Sequence, residues 1–222
     1  QKKRYMLSAQ LSYDITDWLN ISGRVRVDNT HTKYEQKLYA SSNLTITEES
    51  TQGHYTISKP DETQTYADVL ANINKRFNDF SLVANVGASI VNNRYEDLSY
   101  RGPIREKGIP NVFNVFDLDN TKKKARQDEW QEQTQSVFAS VEVGWKSMLY
   151  LTLTGRNDWA SQLANSSTPC FFYPSVGLSG VISEMLTLPE FIDYMKVRGS
   201  FSSVGMPYPR NLTSPTYEYD EA

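Results

Sequence analysis

One cysteine, Cys170, and two histidines, His31 and His54, are all that 222 residues supply of the usual soft ligands. An internal disulfide is excluded, and a histidine-rich metal centre lacks the residues to form. Glycine (11) and proline (9) are no more abundant than average, which excludes collagen-like and low-complexity chains. The net charge of −3 argues against a broad nucleic-acid footprint. There is no phosphate-cradling glycine loop, His-Glu-x-x-His helix or Cys-x-x-Cys pair. No catalytic residue, metal or cofactor is expected, and no enzyme. No apolar run approaches the roughly 18 residues of a membrane helix. With a mean hydropathy of −0.55 the chain reads at first as soluble. A membrane β-barrel also lacks long apolar runs, so that class stays open.

What is present is a period of two. Leu7, Ala9, Leu11, Tyr13 and Ile15 share one face of a strand, and Ser8, Gln10, Ser12 and Asp14 share the other. After Thr16-Asp17-Trp18 the pattern resumes with Leu19, Ile21, Gly23, Val25 and Val27, which makes a β-hairpin. The unit returns around Asn78-Asp79 and around Lys146-Ser147, and more loosely as 172–182 followed by 195–203. The expected hairpins are 4–28, 66–91, 134–158 and 171–204, about eight antiparallel strands. The last connection, Glu184 to Tyr194, has room for a short helical turn.

Links inside the pairs are short, whereas 29–64 and 92–133 far exceed the ~15 residues common for structureless loops. Strands near ten residues match the ~9–11 that a tilted strand needs to cross a bilayer. Short turns at one end and long loops at the other is the arrangement of outer-membrane barrels. Tyr13, Trp18, Phe77, Phe80, Trp145 and Tyr150 crowd the short-turn ends, as rings at headgroup depth would. Arg24, Arg26, Asn72, Asn74, Arg76, Asn85, Glu142, Arg156, Asp158, Lys196 and Arg198 fall mostly opposite the aliphatic faces, where they would line a wet lumen. Lys75 is the exception, near enough to a turn to snorkel.

Other features are weaker. Glu48-Glu49 and Asp61-Glu62 read as solvated loop acids, since the ligand spacing of a calcium loop is missing. Lys122-Lys-Lys-Ala-Arg126 reads as a solvated basic run, with a lipopolysaccharide or partner contact as the alternative. Cys170 beside Phe171 reads as a small apolar contact. Asn20, Asn43, Asn165 and Asn211 open Asn-x-Ser/Thr triplets, which by themselves say little.

Three strings are more specific. Leu151-Thr-Leu-Thr-Gly-Arg-Asn-Asp-Trp-Ala-Ser161, Phe171-Phe-Tyr-Pro-Ser-Val-Gly-Leu-Ser179 and Met195-Lys-Val-Arg-Gly-Ser-Phe-Ser-Ser-Val-Gly205 resemble the SusC/RagA family of TonB-linked outer-membrane transporters. Gly108-Ile-Pro-Asn-Val-Phe-Asn114 is compatible with one of that family's loops. The resemblance is strong over about 133–205 and generic upstream. It implies an all-β, antiparallel transmembrane barrel of 22 strands, with short periplasmic turns and long extracellular loops. It also implies an N-terminal plug and a TonB-interacting segment, neither found in this sequence, and a SusD-like lipoprotein partner. The setting would be the outer membrane of Bacteroidetes-type, Gram-negative bacteria, with lipid around the wall and glycans or peptides as cargo. The chain then reads as an internal barrel segment, 1–222, without plug or closing aromatic strand.

On that reading, substrate contacts come from the long loops and upper lumen, where Tyr34, Tyr39, Tyr55, Trp130 and Trp159 are the candidates for stacking on sugar faces. The alternative is a soluble all-β carbohydrate-binding module, whose apolar faces would meet in a core. A barrel segment should instead leave two strand edges, near 4–15 and 195–203, that other strands or a partner must cover.

Overall fold

The computed structural model describes residues 1–164, 166, 169–187, 189 and 191–205. The triplets at Asn165 and Asn211 lie outside them. Among the described residues ten strands form one antiparallel sheet. They are β1 (Lys2–Thr16), β2 (Leu19–Thr32), β3 (Tyr34–Leu38), β4 (His54–Ser58), β5 (Asp61–Phe77), β6 (Phe80–Pro103), β7 (Lys124–Trp145), β8 (Leu149–Ala160), β9 (Cys170–Val181) and β10 (Lys196–Ser202). The order is β1-β2-β5-β6-β7-β8-β9-β10, with β3 and β4 paired beside β6. One short helix, α1 (Ile182–Met185), follows β9. The sheet is not closed: β1 and β10 each pair on one side only.

Packing divides the chain into two units. The first holds Gln1–Leu7, Val27–Thr65 and Asn93–Gln131, and the second Ser8–Arg26, Tyr66–Asn92 and the described residues from Glu132 on.

The second unit holds the hairpin turns. Lys146 and Ser147 both have left-handed φ, 51° and 59°, and the Met148 N–H donates to Trp145 O at 2.9 Å. That is a type I′ turn, whose twist matches the strands it joins. Asn78 takes φ 49° at the preceding hairpin, a conformation asparagine tolerates. Adjacent turns are tied together by Lys146 N–H to Asp79 O at 2.7 Å. The turn-end aromatics carry cations: Lys75 lies 5.0 Å from the Trp18 ring and 5.2 Å from Phe77, Lys146 5.4 Å from Trp145, and Lys196 5.4 Å from Tyr150. Lys75 thus resolves its awkward place on the aliphatic face by reaching the rings at the turns.

Among the described residues no second layer covers the aliphatic face of this unit. Leu11 is 79% exposed, Leu178 57% and Leu153 48%. A soluble two-layer module would have buried these side chains at ~1.5–3 kcal/mol each. The opposite face is a network of polar contacts. Arg24 donates to Asp68 at 2.6 Å and to the Tyr66 hydroxyl at 3.4 Å. Asn20 donates to Asp14 at 2.6 Å, Asn72 to Asn20 at 3.2 Å, and Arg156 to Ser136 at 3.0 Å. Gly87 sits where Phe138 crosses this face; a Cβ there would meet the ring at 2.7 Å and Val69 O at 2.8 Å. Any larger residue displaces the ring or the strand.

In the first unit the stretches 29–64 and 92–133, expected as loops, are largely ordered β-structure. They contain β3 and β4 entire and the outer parts of β2, β5, β6 and β7. The aliphatic alternation ends here while the backbone pairing continues, which is why the sequence pattern stops short. Burial is concentrated in this unit: Ile104 and Leu118 are 1% exposed and Tyr55 3%. The loop after β3 is fastened to the segment after β6. Ser50 Oγ donates to Ile104 O at 2.8 Å, Ile104 N–H to Gly53 O at 2.8 Å, and the Ala40 N–H to Asn111 Oδ1 at 2.8 Å. Gly53 permits the close approach with φ 111°, since a Cβ would stand 2.6 Å from Leu38 O. The basic run is not simply solvated: Lys122 Nζ donates to Glu48 O at 3.3 Å and Arg126 pairs with Asp128 at 2.7 Å.

Candidate functional site in the loop-bearing unit

Residues two apart on a strand share a face, so within the first unit Arg4 and Lys2, Asp28 and Thr30, and Glu62 and Gln64 fall in pairs on one face of their strands. With Asn93 of β6 and Trp130 of β7 they line a cleft of about 490 Å³. Arg4 holds Asp28 with two donors, the Nε contact being 2.8 Å. Gln64 Nε2 donates to Asn93 Oδ1 at 2.9 Å. The Trp130 ring stacks on Tyr95, with centroids 5.3 Å apart and planes at 14°. At one margin Arg94 donates to Glu129 at 3.0 Å and pairs also with Glu96. Planar amide, carboxylate and guanidinium groups beside an indole can bind a polar ligand with flat faces, by hydrogen bonds at the edges and stacking on the ring.

A second cluster belongs to the β3–β4 pair. The Tyr55 hydroxyl donates to Glu35 Oε1 at 2.7 Å. Burial and this carboxylate push the Tyr55 phenol up to about 12. The same bond, with Lys33, holds Glu35 below the ordinary carboxylate range. Tyr39 packs edge-on against Phe113 at 5.2 Å, and Phe113 lies 6.0 Å from Tyr55. His54, 4% exposed, places Nε2 3.5 Å from Glu48 Oε1, which Arg101 approaches to 3.1 Å. Burial pushes the imidazole down against the pull of Glu48. Burial raises Glu48, but Arg101 and His54 outweigh it and leave the carboxyl lowered.

The five residues singled out in the sequence therefore have different settings. Trp130 lines the cleft. Tyr34 is 51% exposed on β3 and Tyr39 54% exposed beside Phe113. Tyr55 is buried, its hydroxyl committed to Glu35. Trp159 stands among Leu11, Ile90 and Val137, on the aliphatic side. Arg4, Asp28, Gln64, Asn93 and Tyr95 went unnoticed in the sequence. The available signal was the i, i+2 polar alternation, which runs past the last aliphatic residue of each strand.

The sequence model described as TonB dependent receptor-like, beta-barrel matches residues 1–220. No curated protein matches the sequence. Among solved structures the chain is similar to the RagAB peptide transporter, with a TM-score of 0.71 at 14% identity over 90% of this chain and 23% of that one. The RagAB peptide importer in its open-open state gives 0.70 at 14%, covering 90% and 22%. BauA, the ferric preacinetobactin receptor from Acinetobacter baumannii, gives 0.51 at 18%, covering 80% and 28%. These likenesses are of fold, and the chain spans less than a quarter of the RagAB chains it matches. With an uncovered aliphatic face, a polar face opposite and a family match nearly end to end, the chain belongs to the TonB dependent receptor-like β-barrel family and resides in the outer membrane of Gram-negative bacteria.

Proposed function

We propose that this chain forms wall, lumen lining and extracellular loops of an energy-coupled nutrient importer of the SusC/RagA type, within a longer polypeptide. It contributes binding surface and carries out no chemical step. The plug and the TonB-contacting segment would come from outside these residues, and a SusD-like lipoprotein would cover the mouth. Cargo is a glycan or peptide, and the setting a Bacteroidetes-type outer membrane. The observation that supports this most is the polar cleft around Trp130, Arg4–Asp28 and Gln64–Asn93 in the loop-bearing unit. Tyr34, exposed on β3, and Tyr39, exposed just after it, are further points of cargo or lipoprotein contact.

The test is uptake by the full-length protein carrying Trp130→Ala. Loss of a stacking surface worth ~0.5–1.5 kcal/mol should raise the half-saturating cargo concentration about 3–10-fold, with maximal uptake retained. Unchanged half-saturation would remove the cleft from the binding path. Deletion of 29–64 with 92–133 should abolish recognition; normal import after that deletion would contradict the role given to these segments.

A further inference from the structure

The charges that line the cleft of the first unit do not all find partners in place. Arg4 is engaged by Asp28, and Arg94 by Glu129 and Glu96. Two lining charges remain. Among the described residues no carboxylate pairs with the Lys2 ammonium, and no cation pairs with the Glu62 carboxylate. The cleft therefore presents one unmatched cation and one unmatched anion.

Their spacing follows from the sheet. Lys2 lies on β1 and Glu62 on β5, with β2 between them. Two strand spacings set their backbones about 10 Å apart across the strands. On the far side of Glu62 from Lys2 come β6 and β7, which carry the Tyr95–Trp130 stack. Burial, with Asp97, Asp128 and Glu62 nearby, pushes the Tyr95 phenol up, which places Glu62 close to this ring pair. Cation site, anion site and aromatic surface thus follow one another across the cleft.

A neutral oligosaccharide could stack on Trp130 but would leave both charges without a partner. A purely anionic ligand meets Glu62 and a purely cationic one meets Lys2, so each brings like charges together. A ligand with one charge of each sign satisfies both. A peptide with free ends is such a molecule, and an extended chain of three residues covers about 10 Å at ~3.3–3.6 Å per residue.

We propose that the cleft selects short peptides, about three residues long, with both ends free. Glu62 takes the α-ammonium, Lys2 the α-carboxylate, and the first side chain lies on Trp130. This rests on the cleft being the cargo site of the importer and narrows its cargo to one class.

The experiment uses the detergent-solubilised full-length protein, with assembly of each variant verified by heat-modifiable gel mobility. Isothermal titration calorimetry would compare phenylalanyl-dialanine with free ends, its N-acetyl and C-amide forms, and the neutral trisaccharide maltotriose. The free peptide should bind, and either blocking group should weaken it about tenfold through loss of one charge-assisted contact. Lys2→Gln should weaken the free peptide by the same factor and no longer distinguish acid from amide, while still penalising N-acetylation. Glu62→Gln should do the converse, and Lys59→Gln should change nothing. Equal binding of free and blocked peptides, or full discrimination retained in both variants, would overturn the proposal. So would tighter binding of the trisaccharide, weakened by Trp130→Ala; that result would keep the cleft as a cargo site and refute only the choice of peptide. If neither probe bound, the cleft would be removed from cargo recognition altogether, and this inference with it.

Discussion

His54 is enclosed at 4% exposure beside Glu48 and Arg101, with Lys122 reaching the Glu48 carbonyl, so docking of the loop after β3 is expected to depend on pH through His54. Burial holds the imidazole below its ordinary value, and Arg101 with His54 leaves Glu48 below the ordinary carboxylate range. Both groups bind fewer protons in the docked loop than in a released one. Docking is therefore most stable above His54's ordinary pKa, near 6.5. The His54 share is lost as pH falls below that, and the Glu48 share in the carboxylate range beneath it. Hydrogen exchange at the His54–Ser58 amides, corrected for intrinsic rates, should show more opening at pH 5 than at pH 7. An Arg101→Gln variant should open further at both. A flat pH response would mean that His54 is not part of the latch. Neither pairing was legible in the sequence. Glu48-Glu49 read as solvated acids, because the partner Arg101 arrives from a strand extension that the apolar pattern does not announce.

At the scale of elements, the hairpins could be read closely because two signals coincide. Alternating aliphatics mark the faces, and Asn78, Lys146 and Ser147 supply the left-handed residues the tight turns need. β3 and β4 carry neither signal. Tyr34-Glu-Gln-Lys-Leu38 has no aliphatic face, and the pair exists because β4 adds to the outer part of β6, His54 opposite Pro103 through Ser58 opposite Ser99. Pro103 is tolerated because it ends its strand. The cleft escaped notice for the same reason. Trp130 stood out as a tryptophan, while Arg4, Asp28, Gln64 and Asn93 are ordinary polar residues until the register aligns them. Register also makes a prediction at Gly87, where Phe138 crosses and lies 5.9 Å from the Arg156 guanidinium. Gly87→Leu should destabilise the assembled barrel by ~1–3 kcal/mol through overpacking, measured as a lower urea midpoint. Gly87→Leu with Phe138→Ala should recover part of the loss. An unchanged midpoint in the single variant would show that the ring has room to move.

For the whole molecule, the governing fact is an aliphatic face that nothing among the described residues covers. Charge and hydropathy averaged over 222 residues conceal it, because polar loops and a polar face dilute a sorted apolar surface. Strand periodicity exposed it, and the family match gives it a solvent. Among the described residues the outer sides of β1 and β10 are unpaired, and an open edge in lipid strands backbone donors and acceptors in hydrocarbon. The most direct measurement is spin-label accessibility along β8 in the full-length protein reconstituted in liposomes, one position at a time from Leu149 to Thr154. Labels at 149, 151 and 153 should relax with dissolved oxygen, and those at 150, 152 and 154 with a water-soluble nickel chelate, alternating at every residue. Loss of that alternation, or nickel access at Leu151 and Leu153, would contradict the assignment of this face to lipid.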